Sequence, residues 1–145
     1  MLRKCGAFFF VNIKHLRHLL LMLHLIKSQT QYVFLTLTEK QILSNPNYLF
    51  VFTNRSNNNS VSFVKLNNAD VSAHKDRFNK FQIVTNDHFA NQLVGQWTYQ
   101  IYEQVSNSNT NPTGLNLLES GIMMLADAQN VFSSYSTTDT YKIRR

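Results

Sequence analysis

The sequence predicts an all-β fold: an antiparallel β-sandwich of immunoglobulin-like type with six to seven strands, preceded by an N-terminal extension that is helical or foreign to the native protein. Three observations predict it. Short segments in which apolar and polar residues alternate recur between residues 31 and 125, as they do in strands with one buried face. Polar clusters rich in Asn, Ser and Pro separate those segments, as turns do. Helical spacing is almost absent after residue 28, and short strands at regular intervals with such turns build sandwiches. The 145 residues, 43% hydrophobic, suffice for one domain with a real core.

Composition divides the chain into an extension over 1–27, a sandwich over 28–127 and a Ser/Thr-rich tail over 128–145. Three readings fit the extension. A positive start followed by apolar residues resembles a secretory signal, but no small-residue cleavage site follows. Leu16, Leu19, Leu20, Leu23 and Ile26 have helical spacing, which predicts an amphipathic surface helix over 13–26. The abrupt change in composition near residue 27 also fits a true start at Met22, with 1–21 an upstream in-frame translation.

The predicted strands follow in order. The first covers 31–38, with Val33, Leu35 and Leu37 on one face and Tyr32, Phe34 and Thr36 on the other. Ser44, Asn45, Pro46 and Asn47 make a turn. The second strand covers 48–53, where Tyr48, Phe50 and Phe52 share one face and Leu49 and Val51 the other. A polar loop over 54–60 leads to the third strand, 61–66. After an irregular stretch, 80–85 is the fourth, with Phe81 and Ile83 on one face. Residues 86–94 read as a loop anchored by Phe89. The fifth strand, 96–105, has the clearest alternation, with Trp97, Tyr99 and Ile101 opposite Gln96, Thr98, Gln100 and Tyr102. A loop over 106–113 precedes a sixth strand over 119–125, because Gly121 disfavours a helix interior.

The formal charge of +6 invites a nucleic-acid partner. Its distribution argues against one. Arg3, Lys4, Lys14, Arg17 and Lys27 stand in the extension without an acid, so the rest is nearly neutral. Lys75, Arg77 and Lys80 come closest to a phosphate-binding cluster, and Asp70 and Asp76 offset them. No nucleic-acid partner is expected, and membrane contact is expected only if the extension belongs to the protein.

No enzyme motif is present. The four glycines are isolated, so there is no phosphate loop and no nucleophile elbow. A single Cys, Cys5, excludes a disulfide framework and a cysteine zinc site. His15, His18 and His24 lack a carboxylate, and Asp70 with His74 lacks a nucleophile, so neither group forms a metal or catalytic site. Glu103 and Glu119 are the acids within predicted strands. A glycosidase would need two carboxylates flanking a sugar; charges at strand edges or facing outward are the commoner arrangement. No catalytic residue, cofactor or metal is expected.

Four strings, in order, resemble small proteins encoded by crAss-like bacteriophages of gut Bacteroidales: LTLTEKQILSNPNYLFVFTN (35–54), RFNKFQIV (77–84), GQWTYQIYEQ (95–104) and NPTGLNLLESGIM (111–123). The resemblance covers about residues 29–125. It implies a non-enzymatic β-rich virion component, of the capsid exterior or the tail, assembled in the bacterial host cytoplasm. Its partners would be major capsid or tail subunits, or further copies of itself. Such proteins begin near the position of 22–31 here, which favours the start at Met22. The candidate interface residues are Tyr32, Phe34, Tyr48, Phe50, Phe52, Trp97, Tyr99 and Tyr102, the first five if their faces point outward; the converse places Leu49 and Val51 outside. A second functional reading is a carbohydrate-binding, adhesin-like sandwich stacking Trp97, Tyr99 or Tyr102 on sugar; burial of all three would count against it.

Overall fold

The computed structural model describes residues 22–128. Seven strands are present among them: β1 (Leu23–Ile26), β2 (Thr30–Leu35), β3 (Asn47–Asn54), β4 (Ser60–Lys65), β5 (Asn79–Val84), β6 (Gly95–Gln104) and β7 (Asn116–Ala126). One short helix, α1 (Thr85–Phe89), follows β5. The strands form a five-stranded sheet in the order β1-β7-β6-β3-β4 and a two-stranded sheet of β2 and β5. The all-β sandwich is therefore present, and its order matches an immunoglobulin-like domain. β7-β6-β3-β4 stands for the larger sheet of that arrangement, and β2-β5 for the centre of the smaller one.

Three details depart from expectation. β1 pairs with β7 in parallel, Leu23 beside Met123 and Ile26 beside Ala126, so the larger sheet is mixed rather than purely antiparallel. The same strand occupies the end of the expected helix over 13–26, and the sandwich begins upstream of residue 28. Leu23 and Leu25 are buried in the main core, and pairing with the edge of β7 selects strand over helix. Residues 1–21 and 129–145, including Cys5, His15, His18 and most of the predicted tail, lie outside the described residues. Finally, 85–89 is a single helical turn rather than loop, though Phe89 is fully buried, the anchor expected of it.

Aromatic rings hold the sheets together. Phe81 of β5 meets Tyr48 at 5.3 Å and Phe50 at 5.5 Å, both edge-on, across the space between the layers. Phe89 meets Phe52 at 5.3 Å and Trp97 at 5.7 Å in the same manner. Antibody domains pin this space with a disulfide; here aromatic packing does so, and losing one such ring costs about 3–5 kcal/mol.

The crossing from β2 in one sheet to β3 in the other is held by three side chains. Asn79 Oδ1 accepts from the backbone N–H of Leu37 at 2.8 Å and of Thr38 at 3.2 Å. Glu119 Oε2 accepts from Thr36 N–H at 2.8 Å. Glu103 Oε2 accepts from Ile42 and Leu43 N–H, each at 3.0 Å. Each satisfies backbone donors that leave the ladder where the chain changes sheets.

The abundant Asn has local structural work. Asn45 and Asn58 adopt positive φ, 52° and 59°, which Asn tolerates better than most residues. Asn54 Oδ1 accepts from Ser56 N–H at 2.7 Å, closing the β3–β4 turn as an Asx turn. Asn109 and Asn111 do the same in the β6–β7 loop.

Candidate functional site

The structure divides the eight predicted interface residues. Tyr48, Phe50, Phe52, Trp97 and Tyr99 are buried in the core. As interface residues these five are corrected: alternation identified their faces, and the faces turn inward. The expected converse fails as well. Leu49 and Val51 are also buried, because β3 lies inside the larger sheet with β6 on one side and β4 on the other. Leu49 sits on the outer side between Tyr102 of β6 and Val64 of β4. Tyr102 is half-buried there and donates its hydroxyl to Gln100 Oε1 at 3.0 Å.

Tyr32 and Phe34 are the two that reach solvent, 49% and 52% exposed. Both stand on the outer face of the two-stranded sheet, because Val33 and Leu35 take the inner positions of β2. Lys80, across the ladder from Phe34, sends Nζ over the Tyr32 ring at 4.4 Å and towards the Phe34 ring at 5.6 Å. Phe78, just before β5, packs on Phe34 at 5.7 Å. The result is a patch of two exposed rings, Tyr32 and Phe34, flanked by the half-buried Phe78 ring and Lys80, with Lys75 and Arg77 exposed on the turn that leads into it. Among the described residues no carboxylate forms an ion pair with Lys80; the one such pair is Lys27 with Asp127. Exposed cation–π contacts of this kind contribute about 0.5–1 kcal/mol, so the lysine can turn to a stronger partner.

Sequence reasoning placed Lys75, Arg77 and Lys80 together but did not join them to Tyr32 and Phe34. The signal was present in the alternation of 78–83, where Phe78, Lys80 and Gln82 oppose Asn79, Phe81 and Ile83. The strand partner that brings the two rows together was not.

Glu103 and Glu119 differ from the expectation of edge or outward-facing charges, since both are buried. Besides its backbone bonds, Glu103 accepts from Asn116 Nδ2, and Glu119 Oε1 accepts the Tyr99 hydroxyl at 2.9 Å. Burial and the neighbouring Glu119 carboxylate push the Tyr99 hydroxyl well above the ordinary tyrosine range. The bonds of both carboxylates go to parts of the fold, so they act as staples. Among the described residues no three of His, Cys, Asp and Glu gather as a metal site would require, and no helix is long and apolar enough to cross a membrane.

His88 on α1 stacks on Phe63 of β4 at 3.9 Å. Burial, and Lys65 nearby, hold its pKa below the ordinary histidine value, while Asp87 opposes them. The stacked ring is therefore neutral at pH 7.

No family model matches the chain, and no curated protein matches it. Among solved structures, it is similar to a protein provisionally named a glycoside hydrolase, from Bacteroides vulgatus ATCC 8482. The TM-score is 0.40 at 9% identity, over 74% of this chain and 17% of that one. The chain thus spans about a sixth of the length of that protein, and likeness at this level carries no argument about activity.

Proposed function

We propose that this protein is a non-enzymatic structural subunit of a bacteriophage particle, an auxiliary capsid or tail-associated component that docks on other virion subunits. The docking face is the outer side of β2 and β5. The observation that supports the reading is the exposed pair Tyr32 and Phe34, with half-buried Phe78 packed on Phe34 and Lys80 over Tyr32, on a domain whose other large aromatics are mostly spent in its core. Aromatic residues concentrated on one small face are what protein interfaces enrich. The four ordered strings that resemble crAss-like phage proteins supply the phage context. Particle incorporation tests it. Proteomics of purified particles should find the chain, and Phe34→Lys should lower its incorporation about tenfold, the usual effect of losing one strong interface anchor. Absence from particles would overturn the reading.

The carbohydrate-binding alternative, an exported or particle-displayed adhesin, loses Trp97 and Tyr99 to the core. Tyr32 and Phe34 offer ring faces in their place. The Tyr32 face is already occupied by Lys80, which a sugar would have to displace. Glycan-array binding that disappears in Tyr32→Ala would favour it.

A further inference from the structure

The backbone of β2 carries a second feature at the same two residues. Thr85 N–H donates to Gln29 O at 2.9 Å, and the register pairs Thr30 with Val84. Residue 29 therefore faces 85 at the phase of a hydrogen-bonded pair, with Gln29 N–H donating to Thr85 Oγ1 at 3.0 Å in place of the carbonyl. In an antiparallel ladder such pairs alternate with pairs that exchange no bond. The bonded pairs are then 31/83, 33/81 and 35/79, while Tyr32/Gln82 and Phe34/Lys80 turn their N–H and C=O groups away from one another. Two flanking contacts check this phase. Lys80 indeed bonds outward, its N–H to Asp70 Oδ1 and its C=O to Val71 N–H, both at 2.9 Å. Thr36, two residues beyond Phe34, also bonds outward, to Glu119.

The two edges of the small sheet are thus unequal. The outer edge of β5 is covered at Lys80 and Phe81 by Asp70 and Val71, which form a single antiparallel bridge. The outer edge of β2 has no neighbouring strand among the described residues. In the immunoglobulin arrangement the strand before β2 can lie on that edge, but here β1 pairs with β7 in the other sheet. Tyr32 and Phe34 thus present backbone donors and acceptors at an edge that no described strand covers, and their own rings on the face beside it.

We infer that the β2 edge accepts an extended segment of a partner protein as an added strand, and that this segment carries carboxylates between apolar residues. Strand addition draws affinity from main-chain bonds and selectivity from alternate side chains. Tyr32, Phe34 and Phe78 supply the apolar contacts. Lys80, unpaired by any described carboxylate, with Lys75 and Arg77 nearby, supplies the charge preference. That charge also argues against the chain's own first residues as occupant, since Arg3, Lys4, Lys14 and Arg17 are of the same sign and no acid stands among 1–21. The inference rests on the docking face proposed above and names what that face receives.

The test uses the full chain, isotope-labelled for NMR, with two ten-residue peptides in which valine alternates with threonine and either glutamate or lysine. The glutamate peptide should shift the Tyr32 and Phe34 amides and protect them from hydrogen exchange, and added salt should weaken it. Lys80→Glu should reverse the preference to the lysine peptide. Phe34→Lys should lower affinity about tenfold while the buried Trp97 emission stays unchanged, showing an intact fold; Tyr32→Lys serves if it does not. Several results would overturn the inference: no change at either amide with either peptide; amides already protected in the free chain and released by deleting 1–21, which makes the chain its own occupant; protection that grows with protein concentration, which makes a second copy the occupant; or equal shifts with poly-uridylate, which makes the face an anion site. If Phe34→Lys abolishes particle incorporation while no peptide touches the edge amides, the docking face stands and strand addition falls.

Discussion

Single residues in this domain are constrained in ways that their types do not announce. Gly121 lies under the Tyr99 ring, and a Cβ there would meet ring atoms at 2.8 Å. Tyr99 cannot simply swing away, because it is buried and bonded to Glu119. Gly121→Ala should therefore destabilise by about 1–3 kcal/mol, as overpacking does, despite the entropy that alanine would save in the unfolded chain. A urea titration followed by Trp97 fluorescence checks it; an unchanged midpoint would mean that the ring yields freely. Asn79 is constrained by its bonds. Asn79→Ala strands Leu37 N–H and removes a donor from Asp70 Oδ2, which Asn79 Nδ2 reaches at 2.8 Å. Buried groups left unpaired cost about 1–3 kcal/mol each, so a loss of at least about 2 kcal/mol should appear in the same titration. Asn79→Asp should recover part of it through Leu37 and Thr38 while placing a second carboxylate beside Asp70.

At the scale of elements, β1 offers the sharpest expectation. It completes the larger sheet beside β7 and buries Leu23 and Leu25. A chain begun at Ser28 should lose several kcal/mol, since each buried leucine alone contributes about 2–5 kcal/mol against alanine, whereas a chain begun at Met22 should keep the stability of the full protein. Thermal melts of the two truncations decide between these. The same strand shows where sequence reading stops. β2 through β7 were legible because alternation over six or more residues has one meaning. β1 is four residues, and Leu19, Leu20, Leu23 and Ile26 also satisfy helical spacing; only the edge of β7 chooses between the two periods. β3 marks a different limit. Its alternation was plain, but a strand covered on both faces gives no sign of which row is inward. The docking patch was half legible for a related reason. Tyr32 and Phe34 could be read as one row, while Phe78 and Lys80 joined them only through the register of β2 against β5.

The whole molecule has a pH dependence with a definite sign. His88 is held below its ordinary value, so the unfolded chain takes up protons near pH 6.5 while the folded one resists. Stability from this source is full above about pH 6.5 and declines as pH falls below it. Burial raises Tyr48 and Tyr99, which contribute stability below about pH 10 that is lost as pH rises further; Lys65, lowered by burial, works in the opposite direction there. Melts between pH 5 and 7.5 should show His88→Phe, which preserves the stack on Phe63, with a flatter acid limb than the parent; parallel limbs would exclude His88 as the source. The pairing of β1 with β7 also has a temporal side. Leu23 and Met123 are neighbours in space but one hundred residues apart along the chain. At about 5–20 residues per second, the ribosome needs about 5–20 s to produce the second after the first. For that interval β1 has no β7 to pair with, and Leu23 and Leu25 await a partner that is the last of the described strands to emerge.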